Sequence, residues 1–181
     1  MHVSRKSRIC NGLGNPSPRR GSMLILVLAM LIAIVALSAF SVDVAYMQLV
    51  RTQLRATTDA AAKAAGEALA RRQSGPAAIR AAQRSALRNR VAGKQIRLRP
   101  QDIQLGRAVA NRDGSWGFQA GATPYNSVRV TSAMTPRSRT GSVNLMFAHL
   151  VGNSTFSPTD VATVAHPANQ HALAVDRSHS M

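Results

Sequence analysis

From Met23 to Val42 the chain reads MLILVLAMLIAIVALSAFSV, a run with no charged residue, Pro or Gly. As an α-helix it is about 30 Å long at roughly 1.5 Å per residue, the thickness of a bilayer's hydrocarbon core. Ser38 and Ser41 are its polar side chains, and a serine hydroxyl can bond back to a carbonyl one turn earlier. A helix buried in a soluble core normally keeps a polar stripe, and this one has none. The pattern therefore predicts a transmembrane helix. A cleaved secretory signal competes with it, since the start is basic and Ala36-Leu37-Ser38 is a small-x-small site. The run is long for a signal, however, and it passes without a Gly or Pro break into a second helical pattern, which favours an uncleaved anchor.

That second pattern spans Asp43 to Arg72. Met47, Val50, Leu54, Thr57, Ala61, Ala64 and Ala68 follow alternating steps of three and four, so they share one helix face. Ala is the best helix former, and small residues let another helix approach closely. Two readings stand: a stalk that packs along partner helices, and a juxtamembrane helix that packs on its own domain. Tyr46 lies just past the apolar run, where an interfacial aromatic is expected. Ser74-Gly75-Pro76 breaks the helix, and a second one is predicted from Pro76 to about Val91, with Gly93 suited to its end. From Arg71 to Arg99 there are nine Lys or Arg and no acid. That face, with Arg80, Arg84, Arg88 and Arg90, is either an anion-binding surface or a solvated one.

From Gln95 onward the period turns towards two. Ile96 and Leu98, Ile103 and Leu105, and Val128 and Val130 alternate with polar residues, as half-buried strands do. Asn111-Arg112-Asp113-Gly114 is a turn signal, which predicts that QDIQLGRAVA pairs with SWGFQA. Thr135-Pro136 to Gly141 is a loop, Val143 to Val151 is a short apolar run, and Val161 to Ala165 is a candidate last strand. The expectation is a small sheet of four to six strands outside the membrane. The fold class is α+β.

Charge favours one orientation. The first 22 residues, MHVSRKSRICNGLGNPSPRRGS, carry Arg5, Lys6, Arg8, Arg19 and Arg20 and no acid. Dense Gly, Pro, Ser and Asn make them a flexible tail. Beyond the span come Arg51, Arg55 and Lys63, so the positive-inside rule places the N-terminus inside and the bulk outside. The whole chain of 181 residues has 23 Lys+Arg, 7 Asp+Glu and a formal charge of +16. Such a balance prompts nucleic acid as a partner. With one Trp, two Tyr and four Phe it lacks interleaved stacking side chains, so nucleic acid is not expected. Anionic lipid headgroups suit the same charge. The single cysteine, Cys10, precedes the span, so the fold beyond it cannot depend on disulfides. No nucleophile–base pair, paired carboxylates or phosphate loop is evident, and His149, His166 and His171 lack metal-ligand spacing. The chain is not expected to be an enzyme.

Arg19-Arg20-Gly21, the apolar run, Val42-Asp43-Val44, Gln53-Leu54 and Asp59-Ala60-Ala61 with its Ala-rich continuation form an ordered set over roughly residues 19 to 70. In this it resembles the N-terminal segment of TadG-like proteins of the tight-adherence (Flp) pilus assembly systems of bacteria. The later DIQLG, NSVRV (Asn126 to Val130), LMFAHLVG and ATVAH segments are similar to such proteins too. The resemblance implies a single-pass inner-membrane protein with its bulk in the periplasm, acting in assembly or anchoring of surface structures beside pilin-like helices. Related pilins are processed after a Gly with Glu at the fifth mature position. Here the fifth residue after Gly21 is Leu26, so a retained anchor is implied.

The end of the chain, ALAVDRSHSM, carries a second resemblance. A short apolar strand followed by D-x-S-x-S is similar to the start of a von Willebrand factor type A domain. There the Asp and two Ser begin a metal-ion-dependent adhesion site, which would correspond to Asp176, Ser178 and Ser180. A hard cation such as Mg²⁺ takes oxygen ligands of these kinds in near-ideal geometry. The later ligands of that site are missing before Met181, which implies a truncated or split product. The three residues are not expected to hold metal alone, and no cofactor is expected unless that domain were complete.

The expected organisation is thus 1–22 a basic cytoplasmic tail, 23–42 the transmembrane helix and 43–73 the juxtamembrane Ala-rich helix. A second basic helix follows at 74–93, then a small β-rich extracytoplasmic region at 94–170. Residues 171–181 are the truncated start of a type A domain. The expected partners are membrane lipid and other pilus-assembly or pilin-like helices. The alternative is a basic extracytoplasmic binding module for anionic polymer, lipid or nucleic acid.

Overall fold

The computed structural model describes residues 20–112, 114–148, 152 and 155–166. The tail up to Arg19, Asp113 of the turn, His149 to Val151 and everything from Pro167, including His171, Asp176, Ser178 and Ser180, lie outside the described residues. The chain divides into two units, Met1–Ala39 and Phe40–Met181.

The first unit, over its described residues, is helix. It belongs to α1, which runs without interruption from Arg20 to Arg72. From Met23 to Leu37 its large apolar side chains are exposed on every side, Leu28 and Ile34 included. Ser38 Oγ donates to the Ile34 carbonyl at 2.8 Å, so the hydroxyl is satisfied within the helix. This stretch is long and apolar enough to cross a membrane by length and composition.

The second unit builds one core. The rest of α1 contributes a stripe from Val50 and Leu54 through Ala61, Ala62 and Ala65 to Leu69, all buried. Thr57 and Thr58 lie on the same stripe, and their hydroxyls donate to the carbonyls of Gln53 and Leu54, each at 2.8 Å. Thus the polar atoms on the buried face are paired. Of the two readings of this helix, the structure shows packing on its own domain. Tyr46 is part of that packing: it sits partly buried against the core. The predicted seam meets the buried stripe at Val50, Leu54, Thr57 and Ala61, then departs from it at Ala64 and Ala68. A strict 3.5-residue pattern drifts by about 20° per heptad from a straight helix. By the last turns the buried line has moved one residue on.

α1 ends in a left-handed residue, Gln73 at φ 48°, whose N–H donates to the Leu69 carbonyl at 2.8 Å. Ser74 then precedes α2, Gly75–Arg88, with Pro in its first turn. α2 buries Ala77, Ala78, Ala82 and Ala86. It ends at Arg88 rather than near Val91, because the chain turns there into a tight hairpin. Strand β1, Arg90–Val91, pairs with β2, Lys94–Gln95, across Ala92 and Gly93, both at positive φ. Gln53 Oε1 accepts the Ala92 N–H at 3.0 Å and ties this hairpin to α1.

Ile96 and Leu98 are buried but in irregular chain, which replaces the strand expected there. After a short 3₁₀ turn, Pro100–Asp102, come β3 (Ile103–Ala110), β4 (Trp116–Ala120) and β5 (Ser127–Ala133). The small strands β6 (Val143–Asn144) and β7 (Thr155–Phe156) form a separate ribbon, and β8 spans Thr159–Ala165. The main sheet is antiparallel in the order β4-β3-β5-β8. The predicted hairpin is present: Ala110 pairs with Trp116 around a connection in which Gly114 takes φ 80°. Ile103, Val128, Val130 and Ala162 point into the core, while Val161 and Trp116 are exposed. The class is α+β, a long apolar helix followed by a small β-rich region.

Candidate functional site

The apolar run ends at Val42, and the next residue is an acid in an unexpected setting. Asp43 is only 3 % exposed. Its Oδ1 accepts the Met146 N–H and its Oδ2 accepts the Phe147 N–H, both at 3.0 Å. In the sequence Asp43 stands out only as part of Val42-Asp43-Val44 at the end of the apolar run. A side chain on α1 instead holds a loop more than a hundred residues away. A carboxylate that accepts from two backbone N–H groups is the stronger, charge-assisted kind of bond. One sequence signal was available, a single acid directly after an uncharged run, but nothing local names its partner.

A second feature is the basic face of α2. Arg80, Arg84 and Arg88 are exposed, opposite the buried alanines. Arg84 and Arg88 line a cleft with Ala64, Ala81, Ser85 and Asn89. Elsewhere in the unit, Arg51 stacks over Phe156 at 5.3 Å from the ring centre. Arg51, Arg55, Gln48, Phe156 and Asp160 line a cleft of about 560 Å³. Asp160 Oδ2 and Ser132 Oγ are buried without a hydrogen-bond partner, on residues paired between β8 and β5.

No group of three or more His, Cys, Asp or Glu that could hold a metal occurs among the described residues. Asp176, Ser178 and Ser180 lie outside them, so the structure does not bear on that candidate cation site. His166 closes the end of β8, where its N–H donates to the Asn126 carbonyl at 2.8 Å.

Two family models match. One, Flp pilus-assembly TadE/G-like, matches residues 21–73, and the other, Tad-like Flp pilus-assembly, matches residues 53–165. The chain belongs to the Tad-like Flp pilus-assembly family. The two matches overlap on residues 53–73, the part of α1 that is buried in the core of the Tad-like domain. No curated protein and no solved structure matches the chain. The Tad-like region thus includes the basic helix, the main sheet and the ribbon β6–β7, while the apolar helix falls under the TadE/G-like match.

Proposed function

We propose that this Tad-like chain is a single-pass inner-membrane protein, with its N-terminus in the cytoplasm and its bulk in the periplasm. It acts without catalysis in the assembly or anchoring of Flp-type pili or related surface structures. The observation that carries the reading is the two-part use of α1. Its first part exposes apolar side chains on every side, which water does not favour and lipid does. Its last part is the central helix of the Tad-like domain. The domain is thereby tied to the bilayer through a helix that runs unbroken from Arg20 to Arg72. Family membership supports a role with other pilus components, and pilin-like helices are the partners that this reading names. Lipid is the second partner, and no cofactor enters.

The test joins topology to processing. A reporter active only in the periplasm is fused after Ser157 and the chain is expressed in bacteria. Activity together with a full-length, carbonate-resistant membrane product is the expected result. A soluble exported product, shortened at its N-terminus, would make the apolar run a signal peptide. A soluble cytoplasmic product would overturn the anchor and favour a basic binding module, with Arg80, Arg84 and Arg88 on α2 as its surface.

A further inference from the structure

The domain exposes a second apolar feature, and Asp43 fixes where it lies. The loop that leaves β6 presents Met146 at 64 % exposure and Phe147 at 38 %. Their backbone N–H groups are the two that Asp43 holds at 3.0 Å. Asp43 directly follows Val42, and Phe40 and Val42 are themselves exposed, at 68 % and 47 %. Two side chains from the loop and two from α1 therefore expose apolar surface at the same end of the Phe40–His166 unit.

We propose that residues 145–148 form a second contact with the bilayer, in which Met146 and Phe147 dip into the interface. The proposal rests on the anchored reading of α1. The first charged residue after an apolar run of bilayer length stands at the membrane boundary. A loop bonded to that residue stands at the same level. Apolar side chains there gain by leaving water, roughly in proportion to the area they cover. The acid itself raises no obstacle, because both its oxygens accept backbone hydrogen bonds and its side chain is buried. The charges nearby also suit a lipid surface. From Arg129 to Ala148 the chain has no acid, and it has Arg137 and Arg139 exposed. Lys94 Nζ donates to the Ser142 carbonyl at 2.6 Å, just before β6. Exposed cations on this segment attract anionic headgroups. A second copy of the chain is the other possible cover for the patch, and the test separates it from lipid.

The experiment uses the full chain in vesicles whose acyl chains are brominated near the carbonyl end. Bromine quenches tryptophan only at short range. The single native Trp116 is changed to Phe, and one new tryptophan is introduced at a time: Leu37→Trp in the anchor, Met146→Trp or Phe147→Trp in the loop. The expected result is a loss of emission in the loop variants comparable with that in the anchor variant. If the anchor variant is quenched and both loop variants keep their emission, the loop contact is overturned and the anchor stands. If loop emission escapes quenching but shifts to the blue as protein concentration rises, a second copy covers the patch and the proposal fails. If the anchor variant also keeps its emission, the anchored reading itself fails and takes the loop contact with it.

Discussion

Gly66 of α1 stands directly against Val164 of β8, where a Cβ on the glycine would lie 2.8 Å from Val164 Cγ1. Glycine inside a helix costs about 1 kcal/mol relative to alanine, so its use here goes with close approach of helix and sheet. Gly66→Ala is expected to destabilise the domain by about 1–2 kcal/mol despite the better propensity, because overpacking outweighs it. Val164→Ala opens the space, so the double variant should recover part of the loss. Thermal unfolding of the four chains in detergent measures the coupling. A stabilised Gly66→Ala chain would show that the strand yields freely.

The Asp43 bonds to Met146 and Phe147 carry their own cost of removal. Asp43→Ala leaves two partly buried N–H groups without acceptors. The expected loss is about 2 kcal/mol, together with faster proteolytic cleavage between Leu145 and Ala148. Asp43→Asn keeps an acceptor oxygen and should fall between the two. Unchanged melting and cleavage in the alanine variant would mean that the clamp holds nothing.

On the outer face of the sheet, Phe118 covers Gly106, and Arg129 lies 4.2 Å above the Phe118 ring centre. A Cβ at Gly106 would strike the Gln119 backbone carbonyl, and it would lie 2.9 Å from the Phe118 ring. Gly106→Ala should therefore cost about 3 kcal/mol. Phe118→Ala in the same chain should not restore it, since the carbonyl stays in place. Restoration, read from the denaturant midpoint, would assign the clash to the ring alone.

Gln73 is a substitution site with the opposite sign. It is exposed and takes φ 48° at the end of α1. A side chain in that region costs about 1 kcal/mol that glycine avoids. Gln73→Gly should raise stability by about that amount, less the exposed bond from Gln73 Nε2 to Ala70 O. A lower melting temperature would show that this side-chain bond matters more than the backbone strain.

Several features were legible from local pattern. The apolar run, the break at Ser74-Gly75-Pro76, the pairing of QDIQLGRAVA with SWGFQA and the strand at Val128 and Val130 all appear in the structure. Each is written within a few neighbouring residues, as periodicity or as turn chemistry. The end of α2 was less legible, because Arg88, Arg90 and Val91 suit a helix locally, and the hairpin's tie to Gln53 prevails. The end of the stripe on α1 also slipped by one residue, from Ala64 and Ala68 to Ala65 and Leu69. The sequence reveals that a face exists, while the helix's true pitch and the surface it meets decide which residues line it.

By itself, the sequence determined an uncharged helix of bilayer length joined to an α+β domain, since hydropathy and period depend only on neighbours along the chain. Only the tertiary structure decided that the Ala-rich half of α1 packs on its own domain and that Tyr46 serves the core. It alone also decided that Asp43 grips Met146 and Phe147. Those outcomes depend on groups brought together across about a hundred residues, and no local preference encodes such a meeting.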